Sequence, residues 1–134
     1  FLTAFRPEMV GIGPFLPHHQ TPFAGDPAGS VEMTLYLLSL ARLALPAVLL
    51  PATTALGTAA GDGRERGVQA GANVVMPNLS PAGVREKYML YDNKISTGSE
   101  AAECLDELRQ RMQAIGYTVA VDRGDFAGIS EGKV

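Results

Sequence analysis

Three short runs of apolar residues alternate with longer segments of helical periodicity, and this alternation constrains the fold more than any other feature of the sequence. The runs cover residues 9–13, 47–50 and 72–76. A short run that is apolar throughout is typical of a strand with both faces covered. Strands that alternate with helices form parallel βα units. The sequence therefore predicts an α/β fold with three parallel strands, each followed by helical structure.

The ends of the first two predicted helices are marked by particular residues. Ser30 is a predicted N-cap of the first helix, and Pro46 ends it. A second helix is predicted over 62–70, with a weaker signal because Gly63 and Gly67 lie within it. One face of the first helix is apolar at helical spacing and consists of Val31, Leu35, Leu38, Ala41 and Leu45.

The second half of the chain predicts two more helices and a short strand. Residues 83–91 predict a short helix. Thr97 and Glu100 match a capping box that would open the last helix, and residues 117–121 predict a final strand. The apolar face of the last helix consists of Ala101, Leu105, Leu108, Met112 and Ile115.

Composition limits the functions open to the chain. Its 134 residues are 46% hydrophobic, enough for a core and too apolar for a disordered chain. The net charge of -3 favours neither nucleic acid nor an anionic membrane as a partner. The longest apolar stretch is interrupted by Pro46 and Pro51 and is too short to span a bilayer. A single cysteine, Cys104, excludes an intrachain disulfide, and we expect a cytoplasmic protein.

Two expectations concern where the chain begins. It starts at Phe1 rather than at a methionine, within what resembles the end of a helix, and we expect no signal peptide before the first predicted strand. We therefore expect that further sequence precedes it.

Polar side chains follow each predicted strand directly. Because loops after successive parallel strands face the same side of the sheet, we expect these side chains to converge on one site. They are His18, His19, Thr53, Thr54, Asn78 and Tyr88.

The same loops carry three motifs that resemble one enzyme family. Residues 11–18 read Gly-Ile-Gly-Pro-Phe-Leu-Pro-His, residues 51–58 read Pro-Ala-Thr-Thr-Ala-Leu-Gly-Thr, and residues 71–78 read Gly-Ala-Asn-Val-Val-Met-Pro-Asn. In this order, and with Tyr88 and Tyr91 following, they resemble the radical S-adenosylmethionine enzymes that mature iron-iron hydrogenases. The third motif is shared more widely with relatives of biotin synthase.

The resemblance implies a particular place in a larger fold. Residues 1–125 would be the C-terminal segment of a radical S-adenosylmethionine barrel, also described as a biotin and thiamin synthesis associated domain, and residues 126–134 a flexible tail. The segment would supply three consecutive βα units of a (βα)8 TIM-type barrel, that is, a partial barrel of parallel strands, plus a short C-terminal strand.

The resemblance also implies cofactors and partners for a full-length parent. These are S-adenosyl-L-methionine, a 4Fe-4S cluster held by a Cys-x-x-x-Cys-x-x-Cys loop, a small-molecule substrate, the missing N-terminal part of the barrel and hydrogenase maturation proteins. The cysteine motif is absent from this chain. We therefore expect no catalytic residue, no metal ligand and no bound cofactor in the chain alone. An isolated piece of a barrel would expose apolar surface, so we expect a homodimer.

Six residues match positions that the family places around its substrate and S-adenosylmethionine pocket. The resemblance gives the apolar ones the role of a wall against the cofactor or substrate, the threonines that of an anion site, and the tyrosines a position near the substrate. They are Leu16, Thr53, Thr54, Met76, Tyr88 and Tyr91.

Simpler roles remain open for the polar candidates. Thr53 and Thr54 could cap the next turn through hydroxyl-to-backbone bonds. His18 and His19 could indicate a metal site, but adjacent side chains are expected to diverge and no third ligand at a typical spacing is visible. A structural role for the histidine pair is the preferred interpretation.

Four roles compete at this stage. The chain could be the pocket-forming part of a hydrogenase maturase, or the corresponding part of a sulfur-inserting enzyme like biotin synthase. It could instead be a stand-alone binding or assembly module that docks on a partner chain carrying the cluster, or a degenerate domain that only packs.

Overall fold

The computed structural model describes residues 1–87, 90–94, 105–121 and 123–126. Within these ranges the regular structure is helical. The five α-helices are α1 (Leu2–Phe5), α2 (Val31–Ala44), α3 (Thr54–Ala59), α4 (Gly63–Gln69) and α5 (Leu105–Ala114), and a 3-10 helix covers Ala82–Lys87.

Helix α2 forms as its sequence predicts. The Ser30 hydroxyl accepts a hydrogen bond from the Met33 N–H at 3.1 Å, which confirms Ser30 as the N-cap. Leu38 and Ala41 are buried, and the other members of the predicted apolar face are half-buried against the same core. The side chain of Arg42 donates to the Pro46 carbonyl at 2.7 Å and thereby supports the end of the helix.

Helices α3 and α4 form a tight pair that also contacts α2. A methyl group added at Gly63 would lie 2.1 Å from the Leu56 carbonyl oxygen, and one added at Gly67 would lie 3.0 Å from Leu56 Cδ2. The two glycines therefore lower the helical propensity of α4 but allow its backbone to approach α3. The helix predicted over 62–70 is confirmed as α4.

Helix α5 is joined to α4 by an ion pair. Arg111 donates through Nε and Nη2 to both carboxylate oxygens of Glu65, and the Nη2–Oε2 distance is 2.8 Å. Arg111 Nη2 also donates to the Gly61 carbonyl at 2.9 Å. The predicted apolar face of this helix is confirmed at Leu108 and Met112, which are both buried.

The core lies between α2, α3, α4 and α5. Its members are apolar and at most 7% exposed. They are Leu38, Ala41, Val48, Leu50, Ala52, Leu56, Val68, Ala72, Leu108 and Met112.

The predicted α/β fold of three parallel strands is wrong for the described residues, which contain helices and no strand or sheet. The predicted barrel units and the predicted strand over 117–121 are therefore not formed there. Between the three apolar runs the ladder pairing is limited to isolated parallel bridges, Met9 with Leu49 and Pro51 with Val74.

The local sequence explains why these bridges do not extend into strands. The Leu50 N–H donates to the side-chain oxygen of Asn73 at 2.8 Å, so a side chain occupies a position in the ladder. Pro51 follows and has no N–H to donate. In the first run, Gly11 and Gly13 disfavour extended pairing. Burial of apolar residues alone could not reveal these interruptions.

Other predicted elements have mixed outcomes. The helix predicted over 83–91 is a 3-10 helix at Ala82–Lys87. Helix α3 was not predicted, because its six residues are too few to show a periodic pattern. The capping box of Thr97 and Glu100 lies outside the described residues. Within the described residues, no helix has the length and apolar character needed to cross a membrane.

Candidate functional site

Thr53 is the N-cap of α3. Its hydroxyl accepts a hydrogen bond from the Leu56 N–H at 3.3 Å, which is the capping role that the sequence left open. A methyl group added at Gly13 would lie 2.8 Å from Thr53 Oγ1. The end of the first apolar run and the loop after the second therefore meet at Thr53.

Thr54 is linked to Met76 through Arg64, an arginine on α4. Arg64 Nη2 donates to Thr54 Oγ1 at 3.0 Å and to the Met76 carbonyl at 3.3 Å. Arg64 is only 2% exposed, so its charge lies in a medium of low effective dielectric constant. Two of the predicted site residues thus share one buried cation.

The hydrogen bonds of the two threonines determine what their hydroxyl groups can do next. Each Oγ1 already accepts from a nitrogen, Thr53 from Leu56 and Thr54 from Arg64. A hydroxyl that accepts in this way can still donate its own proton. Both threonines are half-buried, and Arg64 adds positive charge behind Thr54. The arrangement suits a carboxylate or another small anion.

A second junction joins the loop of Leu16 to the segment of Tyr91. The Asp92 N–H donates to the Pro17 carbonyl at 3.1 Å, and the His19 N–H donates to Asp92 Oδ2 at 2.8 Å. His19 Nδ1 lies 2.7 Å from Asp92 Oδ1. The hydrogen bond from the His19 side chain holds the pKa of the Asp92 carboxyl below its ordinary value, so that the group is an anion.

The six predicted site residues are therefore grouped only in part. Thr54 and Met76 share Arg64, while Leu16 and Tyr91 are each one residue away from the Pro17–Asp92 contact. Tyr88 lies outside the described residues. The convergence of all six on one pocket, and a ligand role for any of them, stays a prediction.

A separate cleft lies elsewhere. It has a volume of about 560 Å³ and is bordered by the bridge segments and residues 117–120. Met9, Val74 and Tyr117 are among its lining residues, and none of the predicted site residues is. Size alone does not identify a site when the polar groups that could orient a ligand lie in another place.

The two cofactors implied by the resemblance differ in how well they fit this chain. A 4Fe-4S cluster is normally held by several thiolates, and the sequence contains a single cysteine. The residues present do not fit the cluster. S-adenosylmethionine has a carboxylate, which suits the threonine hydroxyls beside Arg64. Its adenine ring needs apolar contacts, and the Met76 residue is 51% exposed and available for them.

Sequence reasoning missed two residues of these junctions, Arg64 and Asp92. Arg64 lies on the buried face of α4 together with Gly63, Gly67 and Val68. Because two of these four residues are glycines, the sequence shows no apolar pattern that would mark this face as buried. Asp92 is 73 residues from His19, and no local pattern connects residues so far apart.

Comparison with known proteins places the chain beside hydrogenase maturases. No protein-family model matches it. Among curated proteins it is similar to a maturase of the iron-iron hydrogenases. That relative is the [FeFe] hydrogenase maturase subunit HydE of Thermotoga maritima, which is 40% identical over 124 residues, or 92% of this chain. The resemblance predicted from the loop motifs is confirmed.

The match covers only part of the relative. It includes 36% of the length of HydE, so the chain spans about a third of the curated relative that it matches. The activity, substrates and partners of a complete maturase are therefore matters of proposal for this chain.

Proposed function

We propose that this chain forms part of the wall of a small-molecule site in a radical S-adenosylmethionine enzyme of the hydrogenase maturase type. The observation that carries the proposal is the 40% identity with HydE over 92% of the chain. The same match supports the maturase class over the sulfur-inserting alternative. In a complete enzyme the S-adenosylmethionine and the 4Fe-4S cluster supply the radical chemistry. The cysteines that bind the cluster lie in a part of the enzyme outside this sequence. We assign the enzyme to the cytoplasm.

Within this proposal, Thr53 and Thr54 bind an anionic group of the cofactor or the substrate. Their hydroxyl protons are available because their oxygen atoms accept from Leu56 N and from Arg64. Arg64 orients Thr54 and contributes positive charge without needing to touch the ligand. Leu16 and Met76 supply apolar contacts, and Tyr88 and Tyr91 border the substrate.

The test exchanges the matched part of Thermotoga maritima HydE for this chain. The chimera is expressed in a host that lacks its own HydE, and hydrogenase activity reports maturation. We expect activity with the exchanged segment. Replacing Thr53→Val and Thr54→Val together should lower maturation about 10- to 100-fold, because two hydrogen bonds to a charged group are lost.

The matched control is Thr3→Val, which makes the same chemical change on the exposed surface of α1. It should leave maturation unchanged. Folding of each variant is checked by circular dichroism. Normal maturation by the double threonine variant, or an inactive chimera that is correctly folded, would contradict the proposal.

One observation favours a second role in assembly. Helix α2 carries large apolar side chains on the side opposite its buried face, among them Tyr36 at 60% exposed, Leu40 at 44% and Leu43 at 79%. A helix that is apolar on two sides is typical of burial against a further surface. We propose that the isolated chain also self-associates through this face of α2.

A further inference from the structure

The loop at His18 folds into a tight turn that fixes the first histidine ring. The Gln20 N–H donates to His18 Nδ1 at 3.0 Å. The Thr21 N–H and hydroxyl both donate to the His18 carbonyl, at 3.0 and 2.9 Å. A ring nitrogen that accepts a hydrogen bond has a lone pair. The neutral tautomer favoured by this turn therefore has its proton on Nε2 and its lone pair on Nδ1, where a bound ion would replace the Gln20 N–H.

The two histidine rings lie side by side rather than pointing apart. Their centroids are 4.6 Å from each other and their planes differ by 17°. The sequence led us to expect that His18 and His19 diverge, and the turn overrides that expectation. A single short loop therefore places two imidazole rings next to each other.

A third ligand comes from the distant segment at Asp92. The carboxylate is held by the His19 N–H through Oδ2, while Oδ1 lies 2.7 Å from His19 Nδ1. The Asp92 backbone is itself bound to the Pro17 carbonyl. Contacts of this kind orient a metal ligand before the metal binds. Two hydrogen bonds therefore position the Asp92 side chain, and a third holds its backbone.

We propose that His18, His19 and Asp92 together bind one divalent ion of the zinc class. One potential ligand atom from each residue lies within 4.8 Å of the other two. Tetrahedral zinc, with bonds of about 2.1 Å, places its ligands about 3.4 Å apart. The closure needed is at most about 1.4 Å, within reach of side-chain rotation, because the side chains of His19 and Asp92 are 66% and 39% exposed.

The ligand chemistry selects the ion. Two imidazole nitrogens and one carboxylate oxygen suit zinc, cobalt and nickel, whereas magnesium and calcium prefer sites made entirely of oxygen. Three protein ligands leave a tetrahedral ion with a position for water. Bound there, the ion would join the 14–29 loop to the 90–94 segment more firmly than the present hydrogen bonds do.

The test is calorimetric titration of the chelator-treated, tag-free chain with Zn²⁺ alone. All proteins carry Cys104→Ser, so that the one thiol of the sequence cannot bind the ion. We expect one equivalent of Zn²⁺ to bind and to raise the unfolding temperature. Mg²⁺ should not bind.

Substitutions locate the site. His18→Ala, His19→Ala and Asp92→Asn should each weaken Zn²⁺ binding about tenfold or more. The matched control is Asp106→Asn, since Asp106 is an exposed aspartate in an ion pair with Arg109 outside the cluster. It should bind Zn²⁺ unchanged. Zn²⁺ binding that is undiminished in any of the three ligand variants, or no binding by the parent chain, overturns the proposal.

A measurement without ligand substitutions keeps the proposal falsifiable if a variant fails to fold. His18 and His19 are the two histidines of the sequence, so their four ring nitrogens can be followed by NMR during the Zn²⁺ titration. We expect one nitrogen of each ring to shift by the amount typical of ligation. Ring nitrogens that stay unshifted at saturating Zn²⁺ refute the site.

Discussion

Arg64 shows how one residue can serve both packing and chemistry. Arginine is rarely buried without partners, and here its guanidinium donates to the Thr54 hydroxyl and the Met76 carbonyl. These bonds offset part of the cost of removing the charge from water. They also hold α3 against the segment that ends at Met76. A substitution at Arg64 would therefore disturb the fold and the candidate anion site together, which makes Thr54 the better residue for testing ligand binding.

Glu65, the residue after Arg64, makes the stability of the α4–α5 contact depend on pH. Burial alone raises the pKa of this carboxyl, but the hydrogen bonds and charge of Arg111 outweigh burial, and the net pKa is lower than the ordinary value of 4.5. A lowered pKa in the folded state means that the ionised form stabilises the fold. That contribution is complete above the unfolded pKa and is lost as pH falls through the folded pKa.

We predict that Glu65→Gln lowers the free energy of unfolding by about 1–2 kcal/mol at neutral pH, because a bidentate and largely buried ion pair is broken. The difference from the parent chain should shrink as the pH falls below 4.5 and through the lower pKa of the folded state, where the parent's own carboxyl becomes protonated. Urea unfolding of both proteins between about pH 7 and pH 3 measures this.

The control for that measurement is Asp106→Asn, which removes an exposed ion pair with Arg109. It should change the free energy of unfolding by less than about 0.5 kcal/mol. A Glu65→Gln difference that stays constant across the pH range would show that the pair does not titrate as described.

At the scale of elements, α4 approaches the backbone of α3 closely at Gly63. Helical propensity favours alanine over glycine by about 1 kcal/mol, so propensity alone predicts that Gly63→Ala stabilises α4. The approach of Gly63 to the Leu56 carbonyl predicts the reverse, since the new methyl group would lie 2.1 Å from that oxygen. The steric effect is the larger of the two, because relief requires the two helices to move apart.

We predict that Gly63→Ala lowers the free energy of unfolding by about 1–3 kcal/mol. The matched control is Gly61→Ala, two residues earlier, where an added methyl group meets nothing within 4 Å. It should be neutral within about 0.5 kcal/mol. Equal urea midpoints for the two variants would mean that α4 does not contact α3 as closely as described.

The helices and the predicted strands show which parts of the fold the sequence predicts and which it does not. Helix α2 and its core face follow from a local cap and a repeating apolar pattern, and both were predicted. The strands were predicted from apolar runs, but whether a run forms a ladder depends on what its N–H groups bond to. The Asn73 side chain takes one of those positions, and its partner Leu50 is 23 residues away.

In the candidate site too, local features were predicted from the sequence and long-range contacts were not. The residues whose type and loop position mark them, Thr53, Thr54 and Met76, were found in the sequence. Arg64 and Asp92 were not, because their roles exist only once α4 has packed and the 90–94 segment has reached the His19 loop. Contacts between distant residues are the part of a fold that periodicity and propensity do not contain.

At the scale of the whole molecule, the exposed side of α2 governs the proposed association. We predict that the chain is a dimer in light scattering at micromolar concentration, and that Leu40→Glu with Leu43→Glu makes it a monomer. Two carboxylates within the apolar face would be desolvated without partners on association. A two-fold dimer is the simplest closed arrangement for such a face.

The control is Leu79→Glu, because Leu79 is 78% exposed and Leu43 is 79% exposed, yet Leu79 is not on α2. This variant should remain a dimer. A parent chain that is monomeric, or dissociation by both sets of substitutions, would contradict association through α2.

The position of the core along the chain has a consequence for the order in which the molecule is made. Among the described residues, eight of the ten buried apolar side chains lie between Leu38 and Ala72. This stretch leaves the ribosome before α5 does, and contacts between residues close in sequence form rapidly. The α2–α3–α4 unit can therefore collapse during translation, and α5 then docks through Leu108, Met112 and Arg111 on a surface that already exists.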